Sequence, residues 1–100
     1  STAIFAIKNN DTYKGIIILD INNIKEITIL EIAVTNNCQK SGIGSSLINH
    51  CIKTFKPNDI VAETDDDAVG FYKKLGFDIL SLGDKYRVGI TRYRCILKCK

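Results

Sequence analysis

The chain has 100 residues, 45% apolar and 25% charged, a balance that excludes disorder, a collagen-like repeat and a coiled coil. Its 14 Lys and Arg against 11 Asp and Glu leave a net charge of +3, too small and too evenly spread to imply nucleic acid. A chain this short buries roughly 60–70% of the surface its unfolded form exposes, enough for one core and so one domain over residues 1–100. No apolar run approaches the ~20 residues of a membrane span. No basic segment followed by an apolar stretch opens the sequence either, so neither a membrane nor a signal peptide is expected.

The first third reads as β. Ala3–Ile7 is a short apolar strand, followed by turn chemistry in Lys8-Asn9-Asn10-Asp11-Thr12. Tyr13–Ile21 is rich in β-branched residues, and Asp20-Ile21-Asn22-Asn23 turns again before Lys25–Val34. Short turn-rich links suggest antiparallel neighbours. Within the third strand Ile27 and Ile29 alternate in one phase, while Leu30, Ile32 and Val34 alternate in the other. An inserted residue, a β-bulge, produces such a change of phase, and a strand buried on both faces produces it too.

The period then changes. Ile43, Leu47, Ile48, Cys51, Ile52 and Phe55 recur at helical intervals, which predicts a helix from about Gly42 to Phe55, closed by Pro57-Asn58. Asp59–Thr64 reads as a strand parallel to the third, reached by a right-handed crossover. A second, short helix follows. Asp65, Asp66 and Asp67 lie at its start, where carboxylates meet free N–H groups and the positive end of the dipole. Ala68, Phe71, Tyr72 and Leu75 form its stripe, Lys73 and Lys74 its last turn, and Gly76 fits the left-handed position beyond. Phe77–Leu82 and Val88–Lys98 read as two final strands joined by Gly83-Asp84-Lys85. The order is β-β-β-α-β-α-β-β, an α/β domain with a mixed sheet.

Four cysteines, Cys38, Cys51, Cys95 and Cys99, form no CxxC pair, and the single histidine, His50, has no second ligand pair near it. A zinc site needs about four ligands at short paired spacings, so no metal is expected. Reduced thiols in a cytoplasmic protein fit better, with Cys51 in the core.

The segment Gln39-Lys40-Ser41-Gly42-Ile43-Gly44 stands between the third strand and the first helix, where unpaired N–H groups and the helix dipole favour an anion. Glycines at 42 and 44 remove Cβ atoms that would hold a phosphate off, and Lys40, Ser41, Ser45 and Ser46 add donors. A P-loop would need G-x-x-x-x-G-K-S/T, which is absent. A dinucleotide fingerprint would need a third glycine where Leu47 stands.

Three stretches then combine. Ile32-Ala33-Val34, then Gln39-x-x-Gly42-x-Gly44 opening a helix, then Ala68-x-x-Phe71-Tyr72-Lys73-Lys74-Leu75-Gly76-Phe77 resemble the GNAT N-acetyltransferase superfamily in order and spacing. The glycine stretch matches its acetyl-CoA signature, Q/R-x-x-G-x-G/A, and the last its A-x-x-x-Y-x-x-x-G-F helix. The resemblance runs from about residue 3 to 98 and implies that family's mixed, mostly antiparallel sheet. Gln39 and Lys40 stand where many members have Arg or Gly, and Asp65 where many have Asn. The usual first strand and two following helices, which form much of the family's acceptor wall, have no counterpart here. Apolar sheet would be left uncovered without them, a surface that a homodimer would close.

The resemblance implies direct transfer of an acetyl group from acetyl-CoA, as cosubstrate, to an amine of a small molecule or peptide. Gln39, Lys40, Ser41, Gly42, Ile43, Gly44 and Ser45 would bind the pyrophosphate. Ile32, Ala33 and Val34 would pair with the pantetheine amides, and an N–H near Ala33 or Val34 would polarise the thioester carbonyl. Tyr72 corresponds to the family tyrosine that protonates the leaving thiolate; a phenol of pKa ~10 suits a thiol near ~8.5. Glu31 and Glu63 are candidate bases for the amine, and both also read as exposed strand carboxylates. Asp65 reads as a base or a helix cap, His50 as an exposed helical residue, and water could carry the proton. A CoA-binding module without transferase activity is the alternative. Lys85, Arg87, Arg92, Arg94, Lys98 and Lys100 read as a solvated face, not a nucleic-acid surface.

Overall fold

The computed structural model describes residues 1–35 and 42–100. Its elements are β1 (Thr2–Asn9), β2 (Thr12–Asp20), β3 (Glu26–Val34), α1 (Ile43–Phe55), β4 (Asp59–Thr64), α2 (Val69–Lys74), β5 (Asp78–Arg87) and β6 (Ile90–Lys98). The six strands form one sheet in the order β1-β2-β3-β4-β6-β5. Among the described residues, β3 and β4 alone run parallel, joined through α1, and the other pairings are antiparallel. This is the expected mixed, mostly antiparallel arrangement.

Burial follows the pleat. Ile17 and Leu19 of β2, Ile27 and Ile29 of β3, Ile60 and Ala62 of β4 and Cys95 of β6 share one buried cluster. Leu47, Ile48 and Cys51 of α1 and Tyr72 of α2 complete it, so both helices cover the same face of the sheet. Cys51 is fully buried, as its place in the helical stripe predicts. On the other face the register places Ile4 beside Ile18 and Ala6 beside Ile16, and Ile4 is 59% exposed.

The third strand settles the phase question in favour of a bulge. Pairing with β2 steps from Ile18↔Glu31 to Leu19↔Ile29, which leaves Leu30 as the inserted residue. Ile32 pairs with the buried Ile17 and so faces the helices, while Glu31 and Ala33 face away from them.

Two boundaries differ from the sequence reading. Strand β5 does not end at Leu82 but continues to Arg87, with register shifts at Ser81/Gly83 and Gly83/Arg87. Gly83 takes its positive φ of 63° within the strand, and the reversal falls at Gly89, φ 84°, whose N–H donates to the Asp84 carboxylate at 3.1 Å. A glycine's left-handed freedom serves a bulge as readily as a turn. Likewise α2 begins at Val69, not at the aspartates. The Asp65 carboxylate accepts N–H bonds from Asp67 (3.1 Å) and Ala68 (3.3 Å), building a turn ahead of the helix.

One glycine sets how closely α1 lies on the sheet. A Cβ on Gly15 would stand 2.7 Å from Ile43 Cγ2 and 3.2 Å from Leu47 Cδ1. Gly15→Ala is therefore expected to lift the first turn of α1 and cost about 1–3 kcal/mol, as overpacked sites do. Thermal or urea unfolding measures it; stability equal to the parent chain would contradict this packing.

Candidate functional site

The sheet parts in its middle. Strands β3 and β4 pair only through Glu26↔Asp59, Ile27↔Ile60 and Thr28↔Val61. Beyond that, β3 stays on β2 as far as Gly15↔Val34, and β4 stays on β6 as far as Thr64↔Tyr93. The Leu30 bulge sits just past the last shared pair, where an extra residue bends and twists a strand. Among the described residues, the edge of β3 that faces β4 has no sheet partner from Ile29 onward.

A cavity of about 660 Å³ lies against this freed stretch of β3. Ile32, Ala33 and Val34 form one bank, and Gly70, Phe71 and Tyr72 of α2 the other. The three β3 residues named from the sequence and Tyr72 are thus brought together.

Tyr72 is 6% exposed. Its ring lies edge-on between Phe71 (5.5 Å, 82°) and Phe77 (5.3 Å, 73°), which fixes its direction. Burial pushes the phenol up to about 12, with smaller contributions from the Cys95 thiol and the Glu31 carboxylate. Tyr72 therefore holds its proton at neutral pH. The apolar surroundings that raise the phenol would also raise the basicity of a thiolate held beside it.

The mouth of α1 is the second feature. Gly42 caps the helix with φ 81°, no side chain among the described residues caps it, and no carboxylate lies in its first turn. Helical bonding starts at Ser46 N–H to Gly42 O, 2.9 Å, so the amides of Ile43, Gly44 and Ser45 lie in the uncapped turn. The two glycines have different duties. Gly42 has open space where a Cβ would go and is required by its positive φ. Gly44 is buried, and a Cβ there would stand 3.2 Å from Phe71 Cζ, so its lack of a side chain also lets α1 lie close to α2. Gln39, Lys40 and Ser41 lie outside the described residues.

The candidate bases separate. Glu31 lies on the face away from the helices, opposite Ile18. Glu63 shares that face, but its carboxylate accepts the Tyr86 hydroxyl at 3.1 and 3.3 Å and stands 4.0 Å from Lys85 Nζ. Asp65 is committed to its turn. His50 packs edge-on against Phe5 at 4.5 Å, against β1 and away from the fork. Tyr86 and Lys85 carry no site signal in the sequence. They fall in a strand without regular alternation, and Tyr86 reaches Glu63 across 23 positions, a contact no local pattern signals.

Tyr72 gives an alkaline test. A pKa of 10 unfolded and about 12 folded means that the folded chain keeps a proton the unfolded chain loses. The stability is full below pH 10 and falls between about pH 10 and 12, by roughly 2–3 kcal/mol from this group. Tyr72→Phe should flatten that part of the fall in pH-dependent unfolding. Identical alkaline profiles for the two chains would contradict the buried phenol.

A family model described as an acetyltransferase (GNAT) domain matches residues 1–79. No curated protein sequence matches the chain. Among solved structures, the ribosomal-protein-S18-alanine N-acetyltransferase of Escherichia coli superposes with a TM-score of 0.77 at 20% identity, over 99% of this chain and 70% of that one. The aminoglycoside 6'-N-acetyltransferase of Enterococcus faecium gives 0.82 at 18%, over 99% and 75%. An aminoglycoside 6'-N-acetyltransferase solved with coenzyme A gives 0.82 at 19%, over 99% and 73%. At these identities the likeness is one of fold.

Proposed function

The chain belongs to the GNAT acetyltransferase domain family, and from that premise we propose that it is an N-acetyltransferase moving an acetyl group from acetyl-CoA to an amine. The observation that carries the reading is the forked sheet with the Tyr72 side chain lining its cavity. Its volume of about 660 Å³ lies within the range of small-molecule sites.

The fit to a CoA thioester can be followed group by group. The free edge of β3 at Ile32, Ala33 and Val34 offers main-chain partners to an amide-bearing arm, as strand addition requires. The uncapped mouth of α1, with Gly42, Ile43, Gly44 and Ser45, offers N–H groups and a positive dipole end to a diphosphate. Gln39, Lys40 and Ser41 precede it in sequence and are assigned to the same contact. Bound there, acetyl-CoA would supply an activated acyl group and a thiolate leaving group.

The chain's own residues do the rest. The N–H of Val34, whose main chain points away from β2, polarises the acyl oxygen. Tyr72 holds a proton at Oη and gives it to the departing sulfur. Glu31, on the open face, takes the proton of the incoming amine directly or through water. Glu63 ranks behind it as a base because Tyr86 and Lys85 already engage its oxygens.

A CoA-binding module without transfer is the second reading. The open sheet face around Ile4 favours it, because no element among the described residues forms a wall there to hold an acceptor.

A coenzyme A titration followed by a thiol-release assay over amines and peptides separates the two. The transferase releases thiol faster with an amine present, and Tyr72→Phe lowers kcat by about 100-fold, the scale of a lost general acid, while leaving affinity nearly intact. Binding without amine-dependent release at any panel member would leave only the module.

A further inference from the structure

Hairpin β5–β6 brings a lysine to the fork. The register shifts on either side of Gly83 take residues 84–86 out of the regular ladder. Strand β6 lies between β5 and β4, yet the Tyr86 hydroxyl reaches Glu63 on β4 at 3.1 Å. Lys85 accompanies it, with Nζ 4.0 Å from Glu63 and 4.9 Å from the centre of the Tyr86 ring. Glu63 stands two residues past the last β3–β4 pair, about 7 Å along its strand. It therefore borders the open slot on the side opposite Glu31. The Lys85 side chain is 48% exposed and carries its ammonium on a flexible four-carbon stem.

We propose that Lys85 is a self-acetylation site, modified in cis by an acyl-CoA thioester held in the fork. The inference rests on the acetyl-CoA reading above and adds an acceptor within the chain. The Tyr86 hydrogen bond and the Glu63 charge hold the Lys85 ammonium above its usual range, so the nitrogen needs a base before it can attack. Glu63, already paired with it, takes that proton. The Nζ lone pair then forms a bond to the acyl carbon, the C–S bond breaks, and its electron pair leaves with sulfur. Tyr72 protonates the thiolate, and the second nitrogen proton replaces the one Tyr72 gave up, through water. In sum, one ammonium and one thioester give one acetamide, one thiol and one proton. The product is neutral, so modification removes the Lys85–Glu63 ion pair and the cation over the Tyr86 ring. Glu63 is then left without its cation at the mouth of the slot.

Incubation of the whole chain with acetyl-CoA, followed by site-resolved mass spectrometry, tests this. Lys85 should gain an acetyl group at least about 100-fold faster than the other lysines, because it is held near the thioester. The rate constant should not change with protein concentration, Tyr72→Phe should lower it, and Lys85→Arg should abolish the mark while keeping coenzyme A affinity. Acetyl groups spread evenly over exposed lysines, or a rate that scales with protein concentration, would overturn the inference. If coenzyme A still binds in that case, the proposed function stands; if coenzyme A does not bind at all, both fall.

Discussion

The whole site depends on two parallel strands that stop pairing. Strands that zip together satisfy their backbone groups, and each main-chain hydrogen bond contributes about 1 kcal/mol net, so a fork within a sheet is costly unless something holds the strands apart. Here the Leu30 insertion bends β3 just beyond Thr28, and each bank is held from its outer side. Strand β2 grips β3 as far as Val34, and β6 grips β4 as far as Thr64. The slot is thus fixed in place by the rest of the sheet, and one of its walls is main chain that lacks a partner.

The same insertion sorts the side chains. A one-residue slip exchanges the two faces of a strand, so without Leu30 the phase that buries Ile32 and Val34 would bury Glu31 and Ala33. The bulge therefore opens the fork and places a carboxylate on the open face beside it. Below the slot, α1 and α2 meet where Gly44 lies against Phe71, and Phe71 with Phe77 fixes Tyr72. Gly15 admits α1 to that position from the sheet side. Removing a Cβ at two points lets the helices come close enough to bury a phenol whose raised pKa keeps it protonated.

Much of this was written in local pattern. The phase change from Ile27 and Ile29 to Leu30, Ile32 and Val34 marked the bulge, and the stripe from Ile43 to Phe55 marked α1. Tyr72 could be singled out only through its resemblance to a family helix, since its own spacing reads as an ordinary core stripe. What stayed hidden is non-local. Gly15 matters because of Ile43, and Glu63 is occupied because Tyr86 comes from another strand. Gly83 misled because positive φ serves a bulge as well as a turn. The jobs of Gly42 and Gly44 look alike in the motif and separate only when Phe71 is placed.

The central claim is that the forked sheet and the mouth of α1 together receive a CoA thioester. Backbone amide chemical shifts, followed by NMR as coenzyme A is titrated into the chain, test it most directly. The account predicts saturable shifts concentrated at Ile32, Ala33 and Val34, at Ile43, Gly44 and Ser45, and at Tyr72. Shifts confined to the far face around Ile4 and Ile18, or none at saturating coenzyme, would contradict it.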